Sequence, residues 1–153
     1  MVQIKNVRKG MSFSSDGGLT KVKCLVISPE TEMVYVSSYR PLTKSYEGFW
    51  VSKNHPLSND GNWGHAVKFA TGTETKILQC YNLVLESRHV LFISGFAAVT
   101  LGHGIKGDIV EHDYYGTNKV VDDLSKMSGW EDGIVEIKDI VRNDSGTVCG
   151  LVE

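Results

Sequence analysis

Cys80-Tyr81-Asn82-Leu83-Val84-Leu85-Glu86-Ser87-Arg88-His89-Val90-Leu91-Phe92-Ile93-Ser94-Gly95 reads as a strand, a short polar turn carrying a histidine, and a second strand closing on glycine. The pattern on either side is also mostly strand. Val22 to Ile27 is rich in β-branched residues and stops at Ser28-Pro29, a turn signal. Met33 to Val36 and Phe49 to Val51 are short apolar runs, Lys76 to Leu85 leads into the quoted turn, and Ala97 to Leu101 extends the set beyond Gly95. Ile134 to Lys138 alternates with a period of two, as a half-buried strand should, and Gly146 to Val152 looks like a closing edge strand. Clusters such as Ser14 to Gly18, Ser58 to Asn62 and Arg142 to Gly146 supply the residues that tight turns need. One helix is expected near 118–127. Thr117 or Asn118 can cap it, Val120, Val121, Leu124 and Met127 form its apolar stripe, and Gly129 can end it.

These signals predict an all-β fold, mainly antiparallel, with that one helix. The 153 residues suit one domain, and neither a repeat nor a linker interrupts them. A net charge of -2 gives no basic excess for nucleic acid or an anionic membrane, and Val90 to Leu101 is too short and broken for a span. Cys24, Cys80 and Cys149 are too few and too odd in number for a disulfide framework. No apolar stretch of signal-peptide type follows Lys5, Arg8 and Lys9, so an intracellular, cytoplasmic setting is expected. As strand residues the three cysteines are expected to be buried and inert, and Trp50, Trp63 and Trp130 to belong to the core.

Chemistry is expected around Ser52-Lys53-Asn54-His55-Pro56. A strand ends there, a hydroxyl precedes a histidine by three residues, and Pro56 biases His55 to an extended backbone. A histidine so fixed can pass a proton to a nearby amide nitrogen. A strand-end surface histidine is the plainer reading.

Taken in order, Ser52 to Pro56, Cys80 to Leu85, His89 to Phe92 and Gly95 resemble the Hint superfamily of inteins and hedgehog autoprocessing domains. There a Thr-x-x-His-Pro motif precedes a Val-Tyr-Asp-Leu-x-Val strand, then His-x-x-Phe and a glycine. A closer resemblance is to the Hint part of eukaryotic proteins that join a von Willebrand A domain to a Hint domain. It runs through Val7 to Gly10, Val22 to Val26, Asp60 to Trp63, Val120 to Leu124 and Gly129-Trp130. Its most specific pieces are Thr100-Leu101-Gly102-His103-Gly104 and Glu111 to Thr117.

The resemblance implies a flattened, horseshoe-like β fold and an autocatalytic domain that cleaves its own flanking polypeptide. It implies His55, Ser52, His89 and Asn82 as catalytic positions, with Ser52, His55 and His89 close together beside a cleft and His103 and His112 as possible additions. In active relatives a first Cys or Ser attacks the preceding carbonyl. This chain starts at Met1-Val2-Gln3, so 1–153 is expected to be one Hint-like domain without its first strand and nucleophile, and without cleavage by itself. Asn82 stands where the family has an acid, and an amide is no base. Val99-Thr100 stands where inteins carry His-Asn, which excludes asparagine cyclisation. No cofactor and no metal are expected. Two other readings remain: an inactive fold that binds a protein partner, and a zinc site built from His89, His103 and His112 with Asp113 or Cys80.

Overall fold

The structure is a computed structural model and describes residues 3–153. Met1 and Val2 of the expected starting segment lie outside the described residues. A single 3-10 turn, Ile4–Asn6, precedes strands β1 (Ser12–Ser15), β2 (Gly18–Arg40), β3 (Ser45–Ser52), β4 (Pro56–Ser58) and β5 (Trp63–His65). A second 3-10 turn, Ala66–Phe69, leads to β6 (Thr75–Leu85), β7 (Val90–Ile93) and β8 (Phe96–Val99). The helix α1 (Asn118–Ser125) and strands β9 (Ile134–Glu136), β10 (Asp139–Arg142) and β11 (Val148–Val152) complete the chain.

The long strand β2 organises the fold. It pairs antiparallel with β1, β3 and β6, and parallel with β9 over three residues. The fold is therefore all-β and mainly antiparallel, with one parallel contact. Ser28-Pro29 does not end the strand, contrary to the sequence reading. Between Ser28 and Thr31 the register against β6 shifts, so one extra residue is absorbed as a bulge. Proline has no N–H to give a ladder, and a bulge is one of the few interior places that tolerate it.

A second sheet, in the order β5-β4-β8-β7, lies over the β2–β3 hairpin. Leu57, Ala66, Phe96 and Ala98 meet Val34 and Val36 there, with the Phe49 and Phe69 rings edge-on to Phe96. The helix covers the other end. Val120 and Leu124 pack with Cys24, Val26, Val84, Leu101 and Val135. Thr117, not Asn118, caps the helix by accepting from the Lys119 N–H, and the helix stops at Ser125, two residues short of the expected end. Gly129 then turns with φ +90, where an added Cβ would run into the Ile134 carbonyl. A third cluster places Val7 on Leu25, Leu83 and Leu85.

Two side-chain expectations fail. None of the three tryptophans is in the core: Lys76 lies over Trp50 at 4.8 Å and Lys23 over Trp130 at 5.6 Å, and all three rings are partly exposed. An indole is too large to be enclosed by short strands, so lysine stems cover it instead. Cys149 is exposed rather than buried, because it lies on the outer face of the two-stranded β10–β11 ribbon.

Candidate functional site

Four of the five histidines meet along one short stretch, Val99 to Gly104, where β8 runs out into irregular chain. His55 is placed first. A turn after β3 brings its N–H to the Ser52 carbonyl at 3.0 Å, and Ala66 donates to its carbonyl at 2.8 Å. Its ring points across to β8, with Nε2 3.0 Å from the Val99 carbonyl oxygen. A carbonyl only accepts, so Nε2 carries the hydrogen and Nδ1 keeps its lone pair. Burial pushes the His55 pKa below the ordinary imidazole value, against the opposing pull of the Val99 carbonyl.

His89 ends the turn between β6 and β7. Arg88 and His89 both adopt positive φ, 67° and 53°, a conformation that costs non-glycine residues on the order of 1 kcal/mol each. Side chains hold the turn in place. The Arg88 guanidinium donates to the Asp16 carbonyl at 2.7 Å. Thr100 donates twice to the His89 carbonyl, from its N–H at 2.9 Å and its hydroxyl at 2.8 Å. The His89 Nδ1 is buried with no partner among the described residues, and an orphaned buried nitrogen of this kind calls for an explanation. Burial first, and then Lys23, lower its pKa.

His103 and His112 come from the irregular stretch between β8 and the helix. The Ile105 N–H donates to the His103 Nδ1 at 2.9 Å, and the Tyr114 and Tyr115 N–H groups donate to the His112 Nδ1 at 3.1 and 2.9 Å. Gly116 brings the two histidines together: a Cβ there would sit 2.8 Å from the His112 carbonyl and 3.0 Å from the His103 ring. Gly102 and Gly104 donate to the Tyr115 and Gly116 carbonyls, tying the loop back on itself. His103 is held down to about 4, by burial first and then by repulsion from His55, His89 and His112. All four rings are thus favoured in the neutral form. The fifth, His65, is exposed on β5 and stands apart.

The family model for Vint, described as a Hint-domain, matches residues 1–150. The chain belongs to this family of Hint domains. No curated protein matches it. Hint domains are of the autoprocessing type, so the family supplies a class of chemistry for the histidine cluster.

Within this Hint domain the remaining candidate residues differ in what they bring. Ser52 contributes its backbone carbonyl to the His55 turn. Asn82 lies on β6 opposite Val26, and its amide nitrogen points at the Cys80 sulfur at 3.6 Å. Cys80 faces Tyr115, whose ring lies 4.8 Å from that of His112, so Asn82 reaches the cluster only through intermediaries. Among the described residues no three His, Cys, Asp or Glu side chains are arranged to hold a metal. Backbone N–H groups occupy the Nδ1 atoms of His103 and His112. Cys24 is buried and its thiol is pushed up to about 11, which leaves it unreactive at neutral pH.

A groove of about 480 Å³ begins one residue beyond His89, at Val90, and two beyond His103, at Ile105, and is walled by Trp63, Phe92 and Ala97. Sequence reasoning missed Thr100 and Gly116 as working residues. Both lie inside the two motif pieces that carried the closer resemblance, and that was the available signal.

Proposed function

We propose that this Hint domain performs an N-terminal acyl shift on the polypeptide that precedes it. A Cys or Ser at the junction attacks the carbonyl of the residue before it. The neutral His55 takes the thiol or hydroxyl proton on its free Nδ1 and returns it to the departing amide nitrogen. The C–N bond breaks, a thioester or ester forms, and hydrolysis or a second nucleophile releases the upstream part. His89, with an unpartnered Nδ1 close by, orients the scissile peptide. His103 and His112 hold the loop that backs both. Asn82 takes no proton; it orders Cys80.

The observation that carries this reading is the convergence of four neutral histidines on Val99 to Gly104, with His55 fixed by the Val99 carbonyl. A neutral imidazole can serve as base and then as acid near pH 7. Val7 supports the same reading. It belongs to the same buried cluster as Leu83, whose carbonyl accepts the Leu101 N–H at 3.0 Å, which supports an approach of the N-terminal segment from the Leu101 side. The reading takes the attacking group from upstream, because Cys24 is buried and the Cys80 thiol is raised by burial. On this reading residues 1–153 alone are expected to cleave nothing, and an association with a von Willebrand A domain and a reducing, cytoplasmic setting belong to the same proposal. The test is a fused N-terminal reporter with and without a junction Cys. Release only with the Cys is expected; release without it would mean that another residue attacks.

A second reading, an inactive Hint fold that binds a protein partner, is favoured by the groove beside Trp63 and the half-exposed Phe92. Absence of release with the Cys present, together with partner capture lost on Phe92→Asp, would select it.

A further inference from the structure

Residues 103–117 contain no strand, and side-chain acceptors hold them down. The Ile105, Tyr114 and Tyr115 N–H groups all end on imidazole Nδ1 atoms. An N–H can only donate, so both Nδ1 atoms must be bare. A proton taken up by either ring goes to that atom. It turns an acceptor into a donor facing a donor, and up to three backbone bonds are lost. The Gly102 and Gly104 ties do not depend on protons.

We propose that residues 103–117 form an acid-released clasp: proton uptake at His112 and His103 unfastens this loop from His55 and His89 and switches the site off in acid. The consequence for cleavage rests on the proposed autoprocessing; the clasp itself does not. His112 takes its proton first. Asp113 favours its charge, whereas His103 is opposed by His55, His89 and His112, with only the Val110 carbonyl favouring its charge. Lys23 faces His89, and Cys80 and Arg142 stand behind the Tyr115 ring. Two carboxylates also brace the loop. Glu111 binds Lys106 at 3.2 Å and the Gly107 N–H at 3.5 Å, and Asp123 accepts the Tyr114 hydroxyl at 2.7 Å. Neither carboxylate is a partner of the two Nδ1 atoms.

Hydrogen exchange followed by NMR on the whole chain at about pH 7 and about pH 5, corrected for intrinsic rates, reads the clasp without any cleavage. Protection at Ile105, Tyr114 and Tyr115 is expected to fall roughly tenfold or more in acid, while the β2–β6 amides stay protected. In His103→Asn/His112→Asn the carboxamide oxygen still accepts the N–H groups but gains no proton, so protection should persist at the lower pH. Glu111→Gln should leave the acid response of the native chain in place. Equal loss in the Asn variant, no loss in the native chain, or removal of the response by Glu111→Gln would overturn the proposal. Should the double variant fail to fold, ring nitrogen shifts of the native chain decide. A bare Nδ1 on both rings at neutral pH, protonated in step with the amide loss, is expected; a proton on either Nδ1 at neutral pH would overturn it. A chain that opens in acid but never cleaves keeps the clasp and loses only the proposed function.

Discussion

The β2–β6 frame and the histidine-bearing stretch from Val99 to Thr117 are held together by different means. In the frame, ten residue pairs lock two strands, and Val22, Cys24, Leu25, Val26, Leu83, Val84 and Leu85 bury their side chains between neighbouring layers. Hydrophobic area does that work and asks only for suitable size and period. The histidine stretch has little regular ladder. Individual atoms hold it: the Thr100 hydroxyl, two imidazole Nδ1 atoms and the missing Cβ of Gly116. A frame built on area yields gradually to substitution. A site built on particular atoms loses its geometry while the frame stays folded.

Substitutions can separate the two. Leu25→Ala empties a fully enclosed place in the frame and is expected to cost about 2–4 kcal/mol in denaturant unfolding. Gly116→Ala drives a Cβ against the His112 carbonyl and the His103 ring; a global loss of about 1–3 kcal/mol is expected, with the histidine resonances displaced far more than those of β2. If Gly116→Ala instead left the histidine spectra unchanged, the close packing of Gly116 on His103 and His112 would not matter.

Acid should act on the same side of the comparison. All four ring pKa values are lowered by folding, so the unfolded chain binds the protons more readily. The stability they contribute is complete above the ordinary value of 6.5 and is lost as pH falls from there toward about 4. At about 1.4 kcal/mol per pKa unit, a loss on the order of 1–2 kcal/mol between pH 7 and pH 5 is expected, measurable by denaturant titration. Stability that rises over that interval would contradict the neutral assignment. Thr100→Val keeps the shape but removes the hydroxyl bond to His89; about 1 kcal/mol is expected, with faster exchange confined to the 86–89 turn.

The same division explains what the sequence made legible. Alternation and β-branched runs located β2, β3, β6, β7, β9 and β11, because burial on a pleated face writes itself as a period of two. The Pro29 bulge escaped notice, since a proline looks the same whether it ends a strand or interrupts one. The short β4, β5 and β10 were missed for lack of length, the parallel docking of β9 because pairing partners leave no local mark. At the site, His55 and His89 were reachable through ordered motifs. Their meeting on Val99 and Thr100 was not, because it depends on β8 pairing with β4 on one side and β7 on the other, and pairing partners leave no local mark. Asn82 looked catalytic by position, yet its amide turns to Cys80.

The central claim is that His55 moves the proton in an acyl shift begun from upstream. The direct measurement fuses a reporter to the N-terminus of the chain, with Cys at the junction, and follows its release with added thiol near neutral pH. Release at that Cys, abolished in His55→Ala while circular dichroism and the β2–β6 amide spectrum remain native, is the predicted result. Absence of release from the intact fusion, or release that continues unchanged in His55→Ala, would contradict it.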